Sequence, residues 1–135
     1  NTLNDHQITT KQTTDKTIVL NGNENEFSNI ILSILNNAKE AFIRRETPEP
    51  EIFISVGEHE NTLVVITISD NAGGITQKPP SSIFSLGVSS GFDNQNNGIG
   101  LFIAKELIKN TFGGYIHVKN NKHGAEFKIT IPIDK

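Results

Sequence analysis

Three polar stretches hold the residues able to do chemistry. Asn36 and Asn37 stand together in the middle of an apolar-periodic run from Asn29 to Phe42. Asparagine is a poor helix former and has no helix end to cap there, so this pair asks for a reason. The amide oxygen of Asn37 suits a hard cation such as Mg²⁺, which prefers oxygen ligands and retains waters and phosphate oxygens. Asn36 lies on a different face, where simple solvation explains it equally well. Asp70 follows the apolar run 62–69 and leads into Asn71-Ala72-Gly73-Gly74-Ile75. Its carboxylate accepts two donors, and an exocyclic amine such as that of adenine is a suitable one. The plainer alternative is an aspartate that caps its own turn. Gly98-Ile99-Gly100-Leu101 opens a helix, whose free N–H groups and positive dipole end are suited to phosphate; a tight turn would use the same glycines. Taken together, a helix Asn, a strand-end Asp beside glycines and a glycine-rich helix start are the parts of a purine nucleotide site with Mg²⁺.

Those parts need elements to hold them. Ile30, Ile31, Ile34, Leu35, Ala38, Ala41 and Phe42 recur at helical spacing, which predicts one amphipathic helix. Asn23 or Asn25 caps it, Glu24 and Glu26 sit near its positive end, and it runs to about Arg45, ahead of Thr47-Pro48-Glu49-Pro50. Ser33, Asn37 and Glu40 or Ala41 share a face. Short strands are predicted around 7–11 and 16–20. Residues 51–57 and 62–69 are rich in β-branched side chains and predict an antiparallel hairpin. Residues 76–97 are weakly patterned apart from Ile83-Phe84-Ser85-Leu86, as expected of a lid or mobile loop. A second helix follows with Leu101, Ile103 or Ala104, Leu107 and Ile108 inward, ended by Gly113-Gly114. Residues 115–119 and 125–133 close the chain as a hairpin. This order predicts an α+β fold, a two-layer α/β sandwich with a mixed β-sheet.

The 135 residues suit a single domain able to bury roughly two-thirds of its unfolded surface. A formal charge of -3 with scattered basic residues argues against a nucleic-acid surface. No cysteine is present, which removes disulfides and thiolate metal sites. No apolar run approaches the roughly 18 residues of a membrane span. There is no Met either, and we expect the chain to be a piece of a longer protein.

The motifs, in order and spacing, resemble those of the catalytic ATP-binding domain of bacterial two-component sensor histidine kinases. Asn36-Asn37-Ala38-Lys39-Glu40-Ala41 is similar to the N box, Asp70 to Ile75 to the first glycine box, and Ile83-Phe84 to the F box. Gly98-Ile99-Gly100-Leu101 with Ile103-Ala104-Lys105 resembles the second glycine box, and Gly124-Ala125-Glu126-Phe127 the last glycine motif. The resemblance runs from about Ile18 to Ile133 and implies a Bergerat-type ATP-binding fold, shared with gyrase and heat-shock chaperone ATPases. It implies ATP and Mg²⁺ as cofactors, with Asn37 as the catalytic residue that ligates the metal and Asp70 holding the adenine amino group. Gly74 and Ile75 would line the base, Ala41 would lie beneath the nucleotide, Gly98, Gly100 and Leu101 would face the phosphates, and 76–97 would be the lid.

Some positions depart from the family pattern. Ser33 stands where kinases often carry Asn and the gyrase branch its water-activating Glu, which favours phosphoryl transfer over hydrolysis. Glu40 replaces a common Lys or Arg, Asn96 replaces a glycine, and Ser89-Ser90 a Thr pair. Of the histidines His6, His59, His117 and His123, none is placed in a helix as a phosphoacceptor would be. The resemblance therefore implies partners outside the chain: a dimeric histidine-phosphotransfer domain of the same protein and a response regulator downstream. The domain itself is expected to be monomeric and cytoplasmic, the intact protein being soluble or anchored in the inner membrane. A serine kinase or anti-sigma-type regulator of the same fold is the alternative, as is a degenerate protein-interaction module without nucleotide.

Overall fold

The computed structural model describes residues 9–13, 24–60, 62–76, 78–85 and 97–133. In chain order the elements are β1 (Thr9–Thr13), α1 (Glu24–Arg45), β2 (Glu51–His59), β3 (Leu63–Asp70), α2 (Asn97–Asn110), β4 (Tyr115–Asn120) and β5 (Ala125–Pro132), with a 3₁₀ turn at Pro80–Phe84. The strands form one sheet in the order β1-β2-β3-β5-β4. β1 lies parallel to β2, and the other pairs are antiparallel. The mixed sheet and the α+β sandwich expected from the sequence are both found. Of the two N-terminal strands expected, one is β1 and the other, at 16–20, lies outside the described residues.

Strand alternation puts one aliphatic set against the helices. Ile54, Ile68, Phe127 and Val118 align across four strands, and Val56, Ile66, Ile129 and Ile116 form the next row. Ile30, Ile34, Ala38 and Phe42 of α1 and Leu101, Ala104 and Ile108 of α2 complete the core. Ala104 rather than Ile103 is the buried partner, Ile103 being 46% exposed.

α1 begins at Glu24, so Asn25 is inside it and cannot cap it, while Asn23 lies outside the described residues. Its other end closes before the prolines. Glu46 takes φ 51, with Glu46 N–H donating to the Ile43 carbonyl at 3.2 Å and Thr47 N–H to that of Phe42 at 3.0 Å. Those two bonds satisfy carbonyls that a helix end leaves open. Gly113 does the same for α2 with φ 69, and Gly114 N–H reaches back to Ile108 at 2.9 Å. The island Ile83-Phe84 is anchored in the core, its Phe84 ring edge-on to Phe127 at 6.1 Å and Lys105 Nζ 5.7 Å from its centroid. Residues 86–96 of the expected lid lie outside the described residues. Among the described residues no helix is long and apolar enough to cross a membrane.

Candidate functional site

α1 is the spine of the site. At about 100° per residue, Ser33, Asn37, Glu40 and Arg44 fall within roughly 60° of arc, at the border of the apolar face. Asn37 is buried, at 3% exposure, among Ile34, Ala38 and Ala41, whereas Asn36 is exposed. Asn36 instead lines a cavity of ≈ 330 Å³ on the other flank of Ser33, with Leu32, Ile103 and Leu107. The two adjacent amides thus have separate surroundings, and only Asn37 borders the core.

Two places on α1 each meet one glycine stretch: Ser33 near the helix middle and Arg45 at its C-terminal end. A Cβ on Gly100 would stand 3.2 Å from Ser33 Oγ, so the first turn of α2 is pressed against α1 there. Ser33 Oγ itself donates to the Asn29 carbonyl at 2.9 Å. At the C-terminal end, Arg45 Nη1 donates to the Ala72 carbonyl at 2.9 Å and lies across Gly73, whose φ of 100 only glycine adopts easily. Between Ser33 and Arg45 the helix rises about 18 Å.

Asp70 owes its position to strand parity. Val64, Ile66, Ile68 and Asp70 all point inward along β3, so the carboxylate closes an otherwise aliphatic row and is 5% exposed. Its Oδ1 accepts the N–H of Ala72 at 3.0 Å and of Ala125 at 3.3 Å. The turn-capping alternative is therefore realised, but through one oxygen only; Oδ2 makes no hydrogen bond among the described residues. Burial pushes the Asp70 carboxyl above the usual range, opposed by the bonds from Ala72 and Ala125 and by the charge of Arg45. Gly124 is the residue that admits this carboxylate. A Cβ there would collide with the Asp70 carbonyl oxygen and with Oδ1.

Asn120 is a site residue that sequence reasoning missed. Its Oδ1 accepts Ile75 N–H at 2.7 Å and its Nδ2 donates to the Ile75 carbonyl at 3.0 Å, clamping the end of the glycine stretch. Gly74 beside it has φ 95. Asn71 ties the start of that stretch to β2, accepting Glu51 N–H at 2.8 Å and donating to the Glu49 carbonyl at 3.1 Å. Only the unusual density of asparagines next to turns signals such roles in the sequence. Asp70, Gly74, Ile75 and Ala41 are buried as a site wall requires. Leu101 turns its side chain into the core, at 2% exposure, so its backbone N–H is what it can offer a ligand. Nothing is described of the surroundings of Gly98. His59 ends β2, His117 is on β4, His123 is in the β4–β5 turn, and His6 lies outside the described residues.

Comparison with known proteins agrees with the fold. The family described as histidine kinase-, DNA gyrase B-, and HSP90-like ATPase matches residues 22–135. Sensor histidine kinase GlnK of Bacillus subtilis strain 168 is 28% identical over 107 residues, which are 77% of this chain and 26% of that protein. Sensor histidine kinase DpiB of Escherichia coli K12 is 33% identical over 111 residues, 79% of this chain and 19% of that protein. The chain thus spans about a quarter or less of these relatives. The catalytic domain of histidine kinase ThkA superposes with a TM-score of 0.78 at 20% identity, covering 97% of this chain and 82% of that one. ThkA has also been solved in complex with the response regulator protein TrrA, with a TM-score of 0.76 over 98% of this chain and 36% of that one. At 20% identity these structures speak to the fold.

Proposed function

The chain belongs to the family of histidine kinase-, DNA gyrase B-, and HSP90-like ATPases, and from this we propose that it binds ATP with Mg²⁺ and donates the γ-phosphoryl to a histidine on a separate helical domain. The observation that carries the reading is the span of α1. One rigid helix holds the Asp70 glycine stretch at its Arg45 end and the α2 glycines near its middle, at Ser33. A nucleotide laid along it meets base-reading groups first and phosphate-binding groups last.

In this reading the open Oδ2 of Asp70 takes the adenine amino group, Gly74 and Ile75 line the base, and Ala41 lies beneath the nucleotide. The backbone N–H groups of Gly98, Gly100 and Leu101 face the phosphates, where the α2 dipole favours negative charge. The oxygen chemistry of the stripe fits Mg²⁺: Asn37 is a buried amide at its centre and Glu40 an anionic neighbour. Bound there, the ion would neutralise phosphate charge. Phosphoryl transfer asks chiefly for positioning and electrostatics, so no covalent nucleophile is needed. Ser33, with its proton donated to Asn29, is not a carboxylate base for water, which favours transfer over hydrolysis. The acceptor would be a dimeric helical domain of the same protein, with a response regulator downstream and a cytoplasmic setting. Support for these partners is the kinase naming of GlnK and DpiB and the ThkA complex with TrrA.

Calorimetric titration with a non-hydrolysable ATP analogue and Mg²⁺ tests the binding half. Parent chain should bind, and Asn37→Ala should lose most of the Mg²⁺ dependence while retaining its fold. No heat and no thermal stabilisation of the parent at millimolar nucleotide would refute the reading. The transfer half is read by supplying γ-labelled ATP and the helical domain of the same protein, label on histidine being the expected product.

A further inference from the structure

Two opposite charges on the site-facing stripe of α1 are left without partners. Glu40 Oε1 and Arg44 Nη1 are each shut off from solvent and take no hydrogen bond. They stand one helical turn apart, a spacing at which Glu and Arg ordinarily pair, yet no ion pair forms between them. Buried polar atoms are almost always satisfied, so the orphaned Glu40 oxygen, less than one turn from Asn37, calls for a cationic partner. Arg44 is within electrostatic reach of its neighbours: burial and then the charge of Arg45 lower its proton affinity, and Glu40 acts the other way.

Resting on the nucleotide reading above, we propose that Glu40 supplies an anionic oxygen to the divalent cation, alongside Asn37, while Arg44, beside Arg45 at the base end of the helix, lies too far along it to reach the phosphates. Asn37 and Glu40 lie about 60° apart on the wheel and within one turn, close enough for one hydrated cation to meet both oxygens, directly or through a water. A carboxylate in this place repels free triphosphate and attracts it once the cation is bound. Glu40 therefore makes nucleotide binding depend on the metal.

The two residues have different signatures in one experiment. A non-hydrolysable ATP analogue is titrated calorimetrically into the parent, Glu40→Gln, Glu40→Lys and Arg44→Gln, each in Mg²⁺ and in EDTA, with thermal melting to verify folding. For Glu40→Gln, the ratio of affinity in Mg²⁺ to affinity in EDTA should fall by roughly tenfold, equivalent to about 1.4 kcal/mol, chiefly through tighter binding in EDTA. Glu40→Lys should bind about equally in both conditions. Arg44→Gln, at the base end of the helix, should leave the ratio unchanged. A merely structural role for Glu40 would lower both affinities together. An unchanged ratio in both folded Glu40 variants overturns the cation assignment and leaves the nucleotide reading intact. A parent that binds in neither condition overturns the nucleotide reading, and this assignment with it.

Discussion

Replacing Asp70 by Asn separates what this residue does for the fold from what it does for a ligand. The two N–H groups of Ala72 and Ala125 converge on Oδ1, at 3.0 and 3.3 Å. The Asn carbonyl will take that position, because only an acceptor can stand between two donors, and the amide NH₂ then replaces Oδ2. A donor now faces the adenine amino group. The lost charge-assisted bond is worth about 1.5–3 kcal/mol, and the unsatisfied buried donors add about 1–3 kcal/mol. Affinity for the ATP analogue should therefore drop by about a hundredfold or more. Stability should move the opposite way. Burial raises the folded-state pKa of Asp70 above its unfolded value, so the native chain keeps the proton to higher pH than the unfolded chain. Its stability accordingly declines as pH rises from the usual carboxylate range through the raised value. The Asn variant carries no such proton, and its advantage over the parent should grow across that window and then level off. Calorimetric titration at neutral pH and urea unfolding across a pH series measure both halves. A folded Asp70→Asn chain that binds the analogue as well as the parent would refute the assignment of Oδ2 to the base. A variant whose advantage shrinks as pH rises would refute the electrostatic account.

Two further changes test the supports of the site. Gly124→Ala drives a methyl group into the Asp70 backbone carbonyl and carboxylate, and should cost about 1–3 kcal/mol in urea unfolding and weaken nucleotide binding with it. Gly57→Ala, where a Cβ meets nothing within 4 Å, is the control and should leave binding unchanged. Asn120→Ala strips both hydrogen bonds from the Ile75 backbone, and should cost about 1–3 kcal/mol. Faster amide exchange at Ile75 and a loss of analogue affinity without loss of Mg²⁺ dependence should accompany it; unaltered exchange would show that the clamp is idle.

Much of this protein is legible in the chain alone. The period of the apolar residues from Ile30 to Phe42 fixes α1, the β-branched runs fix β2 and β3, and Gly113-Gly114 marks the end of α2. These are local effects: side-chain periodicity and backbone steric freedom act within a few residues. The motif order from Asn36 to Phe127 likewise pointed to the ATPase family that the chain belongs to. Once β3 is formed, strand parity puts Asp70 on one face with Val64, Ile66 and Ile68. What local pattern could not decide is which polar group answers which. Arg45 meets Ala72 across 27 residues, Asn120 holds Ile75 across 45, and Gly124 admits Asp70, whose Oδ1 accepts the Ala125 N–H across 55. Each depends on sheet register and on how α1 seats on the sheet, and the chain carries no local signal of either. Glu40 and Arg44 show the same limit from the other side. Their spacing allows an ordinary surface pair, and only the packed structure reveals that Glu40 Oε1 and Arg44 Nη1 are shut off from solvent without a hydrogen bond, because burial is a property of the assembled layers rather than of any one helix.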